Sequence, residues 1–228
     1  MEFFMGNSMS IKKRLPVFLL SAALCAFFTG CATTKQIQPI LNGMIYDSDN
    51  EPVTDVLVHV TDKIRTNSDI YGHFHIENLR ADTEYTITCS KEGYETASVK
   101  FVYNSISEVA YIRMFSSEQL LGLAENEIQQ KKYDAAVSYL DRSEKAGGSK
   151  VCTGYLRAVI AYAKKSYDEA LSGLQSLMDA GYTEPYIYLF TADVYEYGLS
   201  DKENAKKYLQ LYLDSSYDPD AAARLEGL

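Results

Sequence analysis

The sequence predicts a multidomain chain, an all-β antiparallel sandwich followed by an all-α array of repeated helical hairpins. Three observations carry this expectation. Apolar residues alternate with a period of two through residues 38–115. At residue 116 the period changes to that of helices. From there to residue 228, small and apolar residues recur at a spacing of 34, which marks stacked helical units rather than a single bundle.

Composition sets the outer limits. The 228 residues are 46% hydrophobic, enough for a packed core. There is no Trp but there are 19 Tyr, a residue that favours half-buried positions with its hydroxyl in water. The formal charge is −9. Residues 1–30 hold Lys12, Lys13 and Arg14 against Glu2, so removing that net +2 leaves −11. Such a surface repels nucleic acid and anionic lipid, so no nucleic-acid partner is expected. Membrane attachment then needs something other than basic charge.

The N-terminal element supplies it. Lys12-Lys13-Arg14 precede an apolar run from Leu15 to Phe28, and Thr29-Gly30-Cys31 follow. The order charged, apolar, small is that of an export signal. The run is about 14 residues, short for a span that needs roughly 20. It resembles the lipobox of bacterial lipoproteins, with Phe28 where that family usually has Leu. The resemblance implies cleavage before Cys31 and acylation of Cys31, with residues 1–30 as signal peptide. Cys25 is the competing position, but Leu24 precedes it where cleavage needs a small residue. Met1, Met5 and Met9 all remain possible starts. Residues 31–37 read as a polar tether.

Residues 38–115 form the β part. Val56, Val58 and Val60 share one face of a strand; Phe74 and Ile76 alternate with His73 and His75; Tyr85, Ile87 and Cys89 alternate with Thr86 and Thr88. Val99, Phe101, Val109 and Ile112 complete the apolar set. Turns separate them at Asp47–Asn50, Asn67–Asp69 and Lys91–Gly93. Gly72 permits a tight turn, Asp69 can hold its backbone amides, and Gly93 allows positive φ. Gly43-x-Ile45-x-Asp47, Pro52-Val53-x-Asp55-Val56-x-Val58, Thr66-x-Ser68-Asp69-x-x-Gly72-x-Phe74-x-Ile76-x-x-Leu79, Tyr85-x-Ile87 and Gly93-Tyr94 resemble, in order, the carboxypeptidase regulatory-like domain. That resemblance implies a transthyretin-like, seven-stranded antiparallel β-sandwich that spaces or docks rather than catalyses.

Residues 116–228 form the helical part. Ala124, Ala158 and Ala192 are 34 apart. Tyr133-Asp134-Ala135-Ala136 recurs 34 later as Tyr167-Asp168-Glu169-Ala170, and 35 later again as Lys202-Glu203-Asn204-Ala205. One residue is therefore inserted around Gly198–Ser200. Leu140, Leu174 and Leu209 each lie four beyond the second Ala, one helical turn away. Six helices are expected at 117–130, 133–146, 150–164, 167–180, 185–197 and 201–214, with a short capping helix at 219–226. Ser116 with Gln119, Ser166 with Glu169 and Ser200 with Glu203 are spaced as capping boxes, and Gly147 and Gly181 sit where helices stop. The pattern resembles the tetratricopeptide repeat family. It lacks that family's Trp and carries Arg157 at a usual Leu position. The resemblance implies a three-repeat helix-turn-helix α-solenoid whose first helices line a partner-binding groove. Mapped residue by residue, the groove is Leu121, Glu125 and Ile128, then Tyr155, Val159 and Tyr162, then Tyr186, Asp193, Glu196 and Tyr197. Each Tyr has an alternative role in packing between helices. An acidic groove prefers a basic or polar partner segment.

Catalytic chemistry is not evident. Three His occur, all within the β part, and no zinc-peptidase, nucleophile-elbow or phosphate-loop pattern is present. His73 and His75 share a strand face, with His59 on a strand that can neighbour theirs, but outward strand residues are the simpler reading. Cys89 and Cys152 read as two buried free thiols. No cofactor, metal or small-molecule substrate is expected. The sequence thus predicts a non-enzymatic lipoprotein, exported and lipid-anchored to a bacterial membrane, on the outer membrane facing the periplasm or on the cell surface. It would bind an envelope protein or peptide. Two alternatives stay open: an accessory subunit or hydrolase acting on cell-wall material, and a self-associating structural protein.

Overall fold

Alternation of apolar and polar residues drives residues 40–113 into strands. The computed structural model describes residues 40–61, 63–104 and 108–228. Cys31, Cys25, the export segment and the tether lie outside these residues. Among the described residues no helix is long and apolar enough to cross a membrane.

Among the described residues seven strands form two sheets: β1 (Ile40–Tyr46), β2 (Leu57–Thr61), β3 (Ile64–Asn67), β4 (His73–Glu77), β5 (Thr83–Ser90), β6 (Ala97–Tyr103) and β7 (Val109–Arg113). Their orders are β4-β1-β7 and β3-β2-β5-β6. The inner faces meet in a core of Leu41, Ile45, Val56, Val58, Phe74, Ile76, Ile87, Cys89, Tyr103 and Ile112, among others. Phe74 and Ile76 point inward and His73 and His75 outward, as the alternation predicts.

Three expectations need correction. The sandwich is not wholly antiparallel, because β1 and β7 run parallel. These two are the first and last strands and no hairpin joins them, so antiparallel alternation does not govern their pairing. Val109 is 42% exposed and not a core residue, because it lies opposite Asn42 on the outer face; Ala110 and Ile112 are the inward pair. Val99 likewise stands at the exposed edge on β6.

The turns follow their residue chemistry. Gly72 has φ +74°. Asp69 Oδ1 accepts from the backbone N–H groups of Tyr71 and His73 at 2.9 and 2.8 Å. These bonds, that from His73 first, hold its carboxyl below the usual aspartate range. Ser68 is buried with both needs met, its hydroxyl accepting from Val56 N–H and donating to Val53 C=O.

Seven helices follow: α1 (Ser117–Gln129), α2 (Tyr133–Lys145), α3 (Lys150–Ala163), α4 (Tyr167–Asp179), α5 (Pro185–Asp193), α6 (Lys202–Leu213) and α7 (Pro219–Gly227). A π-helical turn, Val194–Gly198, extends α5. Helices pair as α1–α2, α3–α4 and α5–α6. Ala124, Ala158 and Ala192, with Ala136, Ala170 and Ala205, are at most 2% exposed, so each small side chain sits where its hairpin closes. Leu140, Leu174 and Leu209 are fully buried.

The turn inside each hairpin carries a left-handed residue at matching places: Lys131 (φ 61°), Lys165 (φ 63°) and Ser200 (φ 56°). Past it, Lys132 N–H reaches back to Glu127 C=O and Ser166 N–H to Ala161 C=O, each across five residues, whereas Asp201 N–H reaches Tyr195 C=O across six. The extra residue of the third repeat is therefore absorbed as the π-helical turn, a wider turn that takes one more residue without breaking the helix.

Capping matches at one of three expected boxes. Ser116 and Gln119 form both bonds at 3.1 Å. Ser166 is the N-cap of α4 but its side chain makes no capping bond. Ser200 is not the cap of α6, because the inserted residue moves the start by one; Asp201 takes the place and accepts from Asn204 N–H.

The sandwich and the helices form one compact unit. Ser117 N–H donates to Gly93 C=O and Glu95 N–H to Phe115 C=O. Arg142 of α2 grips the Glu95 carboxylate through two nitrogens, at 2.9 and 2.7 Å, and lies over the rings of Phe115 and Tyr139. The guanidinium holds the Glu95 carboxyl below its ordinary range. Gln119 Nε2 donates to the carboxylates of Asp47 and Asp49, in the first turn of the sandwich, at 2.9 and 2.6 Å.

Candidate functional site

The first helices of the three hairpins share one face, and that face holds an open cleft of about 350 Å³. Leu121 and Glu125 come from α1, Cys152, Tyr155 and Leu156 from α3, and Tyr186 from α5. Tyr155 meets Tyr186 edge-on, with centroids 4.9 Å apart, and lies 5.4 Å from the Phe190 ring. Such pairs contribute stability beyond that of the area they bury. Burial pushes the hydroxyls of both Tyr155 and Tyr186 up; for Tyr155 the Asp193 carboxylate adds to it.

The remaining expected groove residues divide in two. Tyr162 packs between Tyr167 and Phe190, each 5.5 Å away, so it continues the aromatic row into the helical core. Ile128 packs against the cluster of Ala124, Ala136, Leu140 and Ile160. Asp193, Glu196 and Tyr197 are engaged by Arg224 of α7. Its Nη1 is 2.7 Å from Asp193, its Nε donates to Glu196 at 2.6 Å, and its guanidinium lies 4.8 Å from the Tyr197 ring centroid. Burial pushes the Asp193 carboxyl up, and Arg224 partly offsets this. The two acids are therefore not open acidic points.

Sequence reasoning missed Cys152, Leu156, Phe190 and Arg224. Cys152 lies three residues before Tyr155 on α3, a spacing that places both on one helix face. Asp193 and Glu196, also three apart, called for a cation that was not identified. Cys152 is half-buried at the cleft rather than buried. Cys89 is buried in the sandwich and its thiol is pushed up to about 12, which leaves it unreactive.

On the sandwich, His73 and His75 are on β4 in one sheet and His59 is on β2 in the other. The third imidazole does not join the pair. Among the described residues no group of three or more His, Cys, Asp or Glu is arranged to hold a metal.

The sheet order and turn chemistry of residues 40–112 agree with a match to a known family model. Residues 40–112 are a carboxypeptidase regulatory-like domain. The domain ends where β7 passes into α1, so the helices lie wholly outside the match. No curated protein matches the chain. Two solved structures, an N-terminal and a C-terminal interface mutant of a type II cohesin–X-dockerin complex from Acetivibrio cellulolyticus, align at 18% identity with a TM-score of 0.30. Each alignment covers 36% of this chain and 61% of the other.

Proposed function

We propose that this protein is an exported lipoprotein anchored through Cys31, and that its helical region is a three-repeat tetratricopeptide solenoid binding another envelope protein. The carboxypeptidase regulatory-like domain serves as a spacing or docking module. The observation that carries the binding role is the cleft that spans all three first helices, walled by the half-exposed, paired rings of Tyr155 and Tyr186. Aromatic side chains held rigid at a cleft lose little entropy on binding and dominate interface energies. The anchor raises the effective concentration of this cleft near partners in the same membrane.

Two measurements test the parts separately. Cys31→Ala is expected to abolish labelling with a palmitate analogue and release the protein from the membrane fraction; continued labelling overturns the anchor. Affinity capture from a membrane extract, using the detergent-solubilised full chain, is expected to recover a partner. The Tyr155→Ala/Tyr186→Ala variant should lose it, since truncating each anchor costs about 2 kcal/mol, roughly thirtyfold in affinity. Undiminished capture places binding elsewhere.

A further inference from the structure

The first-helix face presents the same chemistry at both ends, and only one end is supplied with its counter-charge. At the α7 end, a carboxylate pair and a Tyr ring hold one guanidinium: Arg224 pairs with Asp193 and Glu196 and lies over Tyr197. At the α1 end, a carboxylate again stands beside Tyr rings, because Glu125 lines the cleft together with Tyr155 and Tyr186. Glu125 is exposed and has no ion-pair partner among the described residues. No Lys or Arg lines this cleft. The nearest cation along α3, Arg157, is turned to Asp141 and Glu144 of α2, at 2.6 and 3.4 Å. Glu184, whose charge acts on the Tyr186 hydroxyl, adds to the negative field.

We propose that the cleft takes a partner segment in which an apolar side chain is followed by an arginine. The apolar side chain seats against Leu121, Tyr155 and Leu156. The guanidinium meets Glu125 and stacks on a Tyr face, as Arg224 does on Tyr197. Arginine suits this better than lysine, because its planar, weakly hydrated head can pair with a carboxylate and stack on a ring together. The inference rests on the protein-binding reading above and deepens it to the chemistry of the partner.

The test uses the detergent-solubilised full chain and two fluorescein-labelled peptides that alternate Leu with Arg, or Leu with Glu, separated by Gly and Ser. Fluorescence polarisation should show binding of the Arg peptide, weakened by salt, and none of the Glu peptide. Glu125→Lys should weaken the Arg peptide at least tenfold. Glu77→Lys, an equal charge change on the exposed face of β4, should leave binding unchanged. Equal weakening by both variants would mean attraction to the overall negative charge and overturns the proposal, as does binding of the Glu peptide or failure to bind the Arg peptide. A captured envelope partner that depends on Tyr155 and Tyr186 but not on Glu125 overturns this inference alone and leaves the cleft as the binding site. A partner that depends on none of them overturns both.

Discussion

Arg224→Ala is expected to lower the unfolding free energy by about 3 kcal/mol at neutral pH, and by clearly less near pH 4. Arg224 is the only cation paired with Asp193 and Glu196 among the described residues, and all three side chains are at least two-thirds buried. Its removal leaves two desolvated carboxylates together. The expected loss stays at the lower bound for breaking a buried pair, about 3 kcal/mol, because the groups keep some contact with water. The pH dependence follows from Asp193. Burial already raises its carboxyl above the ordinary 3.8, and Arg224 works against that rise. Without Arg224 the folded-state value rises further, so the folded protein binds a proton more tightly than the unfolded chain. Protonation then relieves the defect in acid, and the penalty grows as pH rises through the raised value towards 7. Urea unfolding at pH 4 and pH 7 reads this directly. An equal loss at both values would mean that Arg224 acts by packing its stem rather than by its charge.

Gly72→Ala should cost at least about 3 kcal/mol, from left-handed strain of roughly 1–2 plus a weakened backbone bond and displaced chain. Gly72 has φ +74°, and its carbonyl accepts the N–H of Ile45 at 2.8 Å. A Cβ there would overlap the Ile45 carbonyl oxygen, which belongs to backbone in the core of the sandwich and cannot swing aside. Gly93 is the control. Its φ is +78°, but nothing lies within 4 Å of a Cβ at that position. Gly93→Ala should therefore cost only the strain, about 1 kcal/mol. Thermal unfolding of the two variants side by side separates strain from overlap; equal losses would remove the overlap from the explanation.

Local features were legible wherever a residue's role depends on its own spacing. The two Ala series mark the hairpin crossings because only a side chain that small allows helices to close there. Gly147 and Gly181 end their helices with φ of 88° and 91°. Ser116 and Gln119 cap α1 because both bonds lie within three residues of one another. The capping failures at Ser166 and Ser200 have a different cause. A capping box depends on the backbone entering the helix in extended form, whereas Ser166 enters with ψ 67° directly after the left-handed Lys165, and Ser200 is itself left-handed. The inserted residue was visible as a spacing of 35, but not that a π-helical turn would absorb it, since that depends on how the end of α5 packs against α6.

Of the candidate site, the Tyr positions were readable from the repeat spacing, and Glu125 with them. The sharing-out of its charges was not. Asp193 and Glu196 look open in the sequence because Arg224 lies some thirty residues away on a capping helix whose docking no local pattern specifies. The same holds for Glu95 and Arg142, which join the sandwich to α2 across 47 residues.

The sequence by itself determined the two kinds of secondary structure, the border between them near residue 116, and most of the residues that face each core, Val99 and Val109 excepted. Periodicity suffices for these, because burying an apolar side chain on a strand or helix is a local requirement. The tertiary structure alone decided the parallel pairing of β1 with β7, the separation of His59 from His73 and His75, and the covering of one end of the first-helix face. Each of these joins groups distant in the chain through directional or charged contacts, whose partners become defined only once the backbone has brought them together.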